Sequence, residues 1–169
     1  MNRILSMVPY VFFSLFLLVG LAVLGMAGRA WWKSNLVEAW PTTSGTLLAR
    51  ELAEDSDSDG TTYRVKVRYA YTVAGRRYES DRLAFGYMGT SGQASHQAIY
   101  DKLSSGNTVQ VRYDPADPSQ AALAYGMNKS ILMVMLFGGV WTMFVLGLML
   151  FFLLGGMSDT QLLERLIVR

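Results

Sequence analysis

YRVKVRYAYTVAGRRYESDRLAF, residues Tyr63–Phe85, is the stretch whose reading decides the fold. Tyr63, Val65, Val67, Tyr69, Tyr71 and Val73 alternate with Thr62, Arg64, Lys66, Arg68, Ala70 and Thr72. A period of two puts the first set on one face of a strand and the second, largely basic set on the other. Ala74-Gly75 follows, a two-residue loop whose glycine accepts the positive φ of a tight hairpin turn. That loop sets Tyr71 opposite Tyr78 and Arg68 opposite Asp81, cross-strand pairs of about 0.2–1 kcal/mol each. A slip of one residue would turn the apolar row to the wrong face.

Outward from this hairpin, Thr42–Leu52 reads as a preceding strand bent at Gly45, and Glu51–Gly60 as a polar, acidic connection. Beyond it, Gly86, Gly89 and Gly92 mark a bend. Ser91 is placed to cap a helix over Gln93–Leu103 that buries Ala98, Ile99 and Leu103 and stops at Gly106. Thr108–Tyr113 alternates again, with Val109, Val111 and Tyr113 inward. Asp114-Pro115-Ala116-Asp117-Pro118 then forms a turn in which Pro sets φ and Asp side chains bond nearby amides. A last short strand carries Ala121, Leu123 and Tyr125. The predicted order is β-β-β-α-β-β, a small antiparallel sheet curled into a partial barrel.

The ends of the chain differ from this middle. Ile4–Gly28 has no charged residue in 25 positions and Ser130–Ser158 none in 29. About 20 apolar residues suffice to cross a bilayer, so both are read as transmembrane helices. The first exceeds the roughly 7–15 residues of a signal-peptide core, and Arg29 suits a cleavage site poorly, so it is read as a retained anchor. Trp31, Trp32 and Trp40 stand where aromatic rings prefer the headgroup region. Trp32, Leu36 and Trp40 recur every four residues, on one helical face, up to Pro41. In the second span, Gly138, Gly139 and Gly147 offer notches for helix packing, and mid-span Trp141 is expected against protein. The spacing of Gly20, Gly25 and Gly28 says little about where a partner helix docks. Ser158 and Gln161 fit a capping box before an amphipathic tail carrying Leu162, Leu163, Leu166 and Ile167. The resulting division is 1–30 first span, 31–40 interfacial extension, 41–126 β-rich domain, 130–156 second span and 157–169 tail. Flanking cations nearly balance: Arg3, Arg165 and Arg169 on the tail side, Arg29, Lys33 and Lys129 on the domain side. The free amino terminus favours cytoplasmic tails and an extracytoplasmic domain.

The chemistry-bearing residues are sparse. There is no cysteine, which excludes disulfides and thiolate metal sites. Arg29–Lys129 carries twelve basic and eleven acidic side chains, a balance that gives no nucleic-acid footprint. Asp55, Asp57 and Asp59 ahead of Gly60 imitate the start of a calcium loop, but position twelve is Lys66 where a bidentate Glu belongs. No metal, cofactor or catalytic residue is expected, and the sole histidine, His96, is read as a surface residue. Ser14 and Thr142 are the polar side chains that an oligomeric pore could use. Arg64, Lys66 and Arg68 form a basic stripe and are the candidate interaction residues.

Trp40-Pro41-Thr42, Ser44-Gly45, the run Tyr63–Tyr71 with Gly75 and Tyr78, then Gly106, Val109, Val111, Tyr113, Pro115 and Pro118 together resemble the bacterial membrane proteins grouped as domain-of-unknown-function family 3592. The resemblance spans roughly Trp40–Tyr125; the acidic connection and the charged tail lie outside it. It implies a small β-rich domain on membrane helices and brings no catalytic residues. The reading is therefore an α+β membrane protein: two transmembrane helices flanking a small antiparallel β-domain with one short helix, multi-pass in a bacterial inner membrane. The expected role is a non-enzymatic interaction or accessory protein whose partners are the lipid bilayer and a protein or a second copy. An immunity protein against a membrane-acting toxin and an oligomeric channel component are the alternatives.

Overall fold

A computed structural model describes residues 2–104 and 108–155. In order they form α1 (Asn2–Leu36), a 3-10 turn (Val37–Ala39), β1 (Thr42–Asp57), β2 (Gly60–Val73), β3 (Arg76–Ser80), α2 (Gln93–Ser104), β4 (Thr108–Tyr113), β5 (Ala121–Ala122) and α3 (Lys129–Gly155). The predicted stop at Gly106 and the tail over 157–169 lie outside the described residues. The chain forms two compact units, Met1–Gly25 with Leu136–Arg169, and Met26–Met135.

In the second unit the strands make one antiparallel sheet in the order β3-β2-β1-β4-β5. The sheet is open. A partial barrel would bring β3 toward β5, but three strands separate them and β5 has only two residues, too few to carry a closing ladder. The hairpin register is as expected, with Tyr71 opposite Tyr78 and their rings stacked at 5.7 Å. Ala74 and Gly75 both take positive φ, 49° and 79°, the mirror-image turn that matches strand twist. Pairing ends sooner than expected, at Tyr69–Ser80. The Ser80 hydroxyl accepts the Arg82 amide at 3.3 Å and turns the chain off the sheet, so no Arg68–Asp81 ladder pair forms.

The acidic stretch is a strand arm. β1 runs on to Asp57 and pairs through Asp55–Thr62, Ser56–Thr61 and Asp57–Gly60, because Thr61 and Thr62 favour extended backbone and the hydroxyls of Ser56 and Thr61 meet at 3.0 Å. The strand bends at an irregularity between Leu47 and Ala49 instead of at Gly45. Gly45 serves close approach: a Cβ there would lie 2.6 Å from Val111 Cγ2 and 2.9 Å from the Ala70 carbonyl.

The core lies on one face. Val65, Val67, Tyr69, Tyr71, Leu83, Val111 and Ala121 are buried there, with Ile99, Tyr100 and Leu103 of α2 packed on them. Ala98, expected on that side, is exposed, and His96 takes its place because the helix starts from Gly92, whose carbonyl receives the Ser95 and His96 amides. Past Ala122 the period of two stops. The amides of Leu123 and Ala124 both bond the Leu83 carbonyl, and Tyr125 ends exposed beneath the Arg112 guanidinium at 4.6 Å. Asp114 and Asp117 accept the Ala116 and Ser119 amides as the turn chemistry predicts. The Ser119 and Gln120 side chains, with the Ser119 amide, hold the Asp117 carboxyl below its ordinary range.

In the first unit, segments of α1 and α3 pack together. Trp141 stacks on Phe16 and donates from Nε1 to the Phe16 carbonyl at 3.0 Å. The tight notch is Gly20, where a Cβ would sit 2.6 Å from Thr142 Oγ1 and 2.8 Å from Trp141 Cδ1. Gly138 contacts Leu24, whereas Gly139 and Gly147 meet nothing within 4 Å. The Ser14 and Thr142 hydroxyls are bonded to the carbonyls of Val11 and Gly138 on their own helices. α1 gives way at Leu36 to the 3-10 turn, so Trp40 leaves the helical face shared by Trp32 and Leu36 and adopts extended backbone before Pro41.

Candidate functional site

The site follows from where β3 stops. β2 is hydrogen-bonded to β3 from Val73 back to Tyr69, and is bridged again only at Tyr63, which exchanges both main-chain bonds with Thr90 at 2.9 and 3.1 Å. Between these closures the chain from Asp81 to Tyr87 bows away from β2. The window left is about 560 Å³ and is lined by Arg64, Lys66, Arg68, Asp81, Arg82 and Phe85, among others. It brings Arg82, which sequence reasoning missed, into one group with the predicted stripe Arg64, Lys66 and Arg68. Lys66 stands 3.8 Å from Glu51, both exposed. Glu79 is engaged by Arg77 at 3.0 Å and does not neutralise the stripe. Arg64, Arg68 and Arg82 have no carboxylate within ion-pairing distance among the described residues.

The far wall of the window is anchored firmly. Gly86, at φ +68°, brings its backbone against Ala30 and Ile131, where a Cβ would lie 3.0 and 2.7 Å from their side-chain atoms. Asn128 Nδ2 donates to the Phe85 carbonyl, and the Ser130 hydroxyl accepts the Met88 amide at 3.1 Å and faces the Met88 carbonyl at the same distance. Arg82 lies over the Phe85 ring at 4.4 Å and Lys33 at 5.5 Å, while Trp40 meets its edge at 5.9 Å. Trp31 and Trp32 are exposed on α1.

At the end of the window stands a buried polar relay that centres on His96, only 4% exposed, contrary to the expectation of a surface residue. The Val65 amide donates to the Tyr87 hydroxyl at 3.1 Å, and the hydroxyl pairs with His96 Nδ1 at 2.7 Å. His96 Nε2 pairs with Thr90 Oγ1 at 2.8 Å. With the phenol hydrogen donated to Nδ1, the neutral ring carries its proton on Nε2, toward Thr90 Oγ1. Burial, then the Lys129 charge, holds the imidazole pKa below its ordinary value. Burial raises Tyr87 and pushes Tyr69 up to about 12, its hydroxyl donating to the Arg82 carbonyl at 3.0 Å. The signal missed in the sequence was the i, i+4 placement of His96 after Gly92 on the side of Ile99 and Tyr100, which is the core side of α2.

On the opposite side of Tyr87, an apolar cavity of about 450 Å³ is walled by Leu83, Ile99, Leu103, Val109 and Leu123. Asp55, Asp57 and Asp59 sit at the tip of the β1–β2 arm. Asp57 Oδ1 accepts the Asp59 amide at 2.9 Å to close the turn, and no group of three metal-ligating side chains forms among the described residues.

Fold and site together define a small open-sheet domain, carried between two helices long and apolar enough to cross a membrane, with a cation-lined window beside its central hairpin. The chain belongs to the family described as Domain of unknown function (DUF3592), whose profile matches residues 43–128. No curated protein matches the chain.

Proposed function

We propose that this protein is a non-enzymatic, membrane-anchored interaction module of a bacterial envelope, held in the cytoplasmic membrane by α1 and α3, with its β-domain on the outer side. Membrane anchoring is supported by the sides of both helices, where Phe12, Leu18, Val140, Met143, Phe144 and Phe151 are each more than half exposed. A contiguous apolar surface of this kind is stable against lipid and not against water.

The interaction role rests on one observation. β4 pairs with β1 only from Thr42 to Thr46, and among the described residues no strand pairs with the outer edge of β1 beyond that. Residues Glu54–Asp57 therefore present an exposed edge, a template to which a partner adds a strand. Glu51, Glu54, Asp55 and Asp57 guard this edge against indiscriminate pairing and select a partner with basic side chains. Alternation from the Asp57–Gly60 pair points the Glu54 amide outward.

The test is photo-crosslinking in intact cells from position 54, compared with Arg77 on β3. The expected result is a discrete adduct from position 54, and an adduct from the neighbouring exposed position 55 that Glu54→Pro abolishes, since proline removes the outward amide and spares the β1–β2 ladder. Equal crosslinking from positions 54 and 77 refutes the reading, as does release of the chain from membranes by alkaline washing.

A further inference from the structure

We infer that the window between β2 and the Asp81–Tyr87 segment binds the phosphate headgroup of an anionic membrane lipid. This rests on the membrane-anchored reading above and adds a ligand to it. Four cations and one carboxylate, Asp81, line the window. Three of the cations are arginines without an acidic partner among the described residues. Guanidinium forks match phosphate oxygens two at a time, which makes unpaired, converging arginines a phosphate site more than a carboxylate-neutral surface.

Placement selects the source of the phosphate. In the wall formed by Phe85–Met88, Gly86 is seated on Ala30 and Ile131, which in the sequence stand at the inner ends of the two uncharged runs, Ile4–Gly28 and Ser130–Ser158. Lys33 and Arg82 share the Phe85 ring there, with Met88, Trp31 and Trp32 exposed alongside. Cations, aromatic rings and an exposed methionine next to the ends of two apolar runs are the composition of a headgroup layer. An extended acidic peptide suits the window less well, because the Tyr69–Ser80 and Tyr63–Thr90 pairs close both ends and leave no path for a chain to run along β2. A headgroup enters endwise without disturbing either pair.

The experiment uses the full chain in nanodiscs of phosphatidylcholine with a minor fraction of phosphatidylglycerol, with retained lipid identified by native mass spectrometry. Phosphatidylglycerol is expected to be retained selectively. Each cation near a charged headgroup contributes about fivefold, so Arg64→Gln, Arg68→Gln and Arg82→Gln together lower the selectivity about a hundredfold, and Arg68→Gln alone about fivefold. Arg77→Gln, which removes the partner of Glu79 outside the window, leaves it unchanged. Equal retention of the two lipids overturns the proposal, as does selectivity untouched by the triple variant. Displacement of the lipid by inorganic phosphate or by an Asp- and Glu-rich peptide at lower concentration overturns it in favour of that ligand. Alkaline extraction of the same membranes separates the two readings: a chain that washes out refutes the anchoring and the lipid site together, whereas a chain that stays embedded without lipid selectivity refutes only the latter.

Discussion

Replacing Tyr87 with Phe keeps the ring and deletes the single oxygen that joins β2 to α2. In the wild type that oxygen accepts the Val65 amide at 3.1 Å and pairs with His96 Nδ1 at 2.7 Å. Val65 and His96 are 2% and 4% exposed, so water does not readily replace the lost partner on either side. A stranded buried polar group costs about 1–3 kcal/mol, and two of them set the loss at about 2–6 kcal/mol. Urea unfolding of the full chain in detergent measures it, and hydrogen exchange of a peptide covering residues 63–69 should show the Val65 region opening selectively. The same substitution tests the proton assignment. Because burial and Lys129 lower the folded pKa of His96, the unfolded chain binds more protons once the pH drops below about 6.5. The stabilisation from His96 is thus complete above that pH and is lost as the pH falls toward the lower folded value. Tyr87→Phe removes a donor that favours the neutral ring, so the slope of stability between about pH 7.5 and about pH 5.5 becomes shallower than in wild type. A loss under about 0.5 kcal/mol, within the range of ordinary surface changes, refutes the relay, and so does an unchanged pH slope.

Gly86→Ala forces a residue with a Cβ into φ +68° and within 2.7 Å of Ile131, so we expect a loss of about 2–4 kcal/mol, seen as a lower urea midpoint. Ala74→Asn should raise stability by about 0.5–1 kcal/mol, because Asn accepts the positive φ of 49° that Ala adopts at a cost; thermal unfolding with an unchanged or lower midpoint would count against the turn assignment. Gly20→Ala should weaken the packing on Trp141 and Thr142 by about 1–3 kcal/mol, read as a lower thermal midpoint in detergent, whereas Gly139→Ala, with nothing within 4 Å, should leave it unmoved; equal effects would refute this packing.

Much of the architecture was legible in the chain itself. The alternation from Tyr63 to Val73 and the Ala74-Gly75 turn dictate the hairpin and its register, since a slip of one residue would bury Arg64, Lys66 and Arg68 and the two-residue turn fixes the pairing. Two long uncharged runs dictate two long helices, and the Asp114–Pro118 turn follows from side chains that bond the backbone next to them. All of these depend on interactions between residues close in sequence or on a period that one segment displays alone.

What the tertiary structure decided lies where distant segments meet. The acidic arm is strand because Thr61 and Thr62 supply a ladder to residues whose own composition favours a loop. His96 is buried because the first turn of α2 hangs from the Gly92 carbonyl, which turns the imidazole toward Tyr87 and Thr90. Gly20 packs tightly while Gly139 does not, a difference of helix rotation that glycine spacing fails to encode. The window exists because Ser80 diverts the chain and Gly86 holds it against Ala30 and Ile131, so Arg82 arrives beside Arg64 and Arg68 from another segment. Local pattern determines which face of an element is apolar; which groups converge depends on how far each strand stays paired, and that is set by contacts between residues remote in the chain.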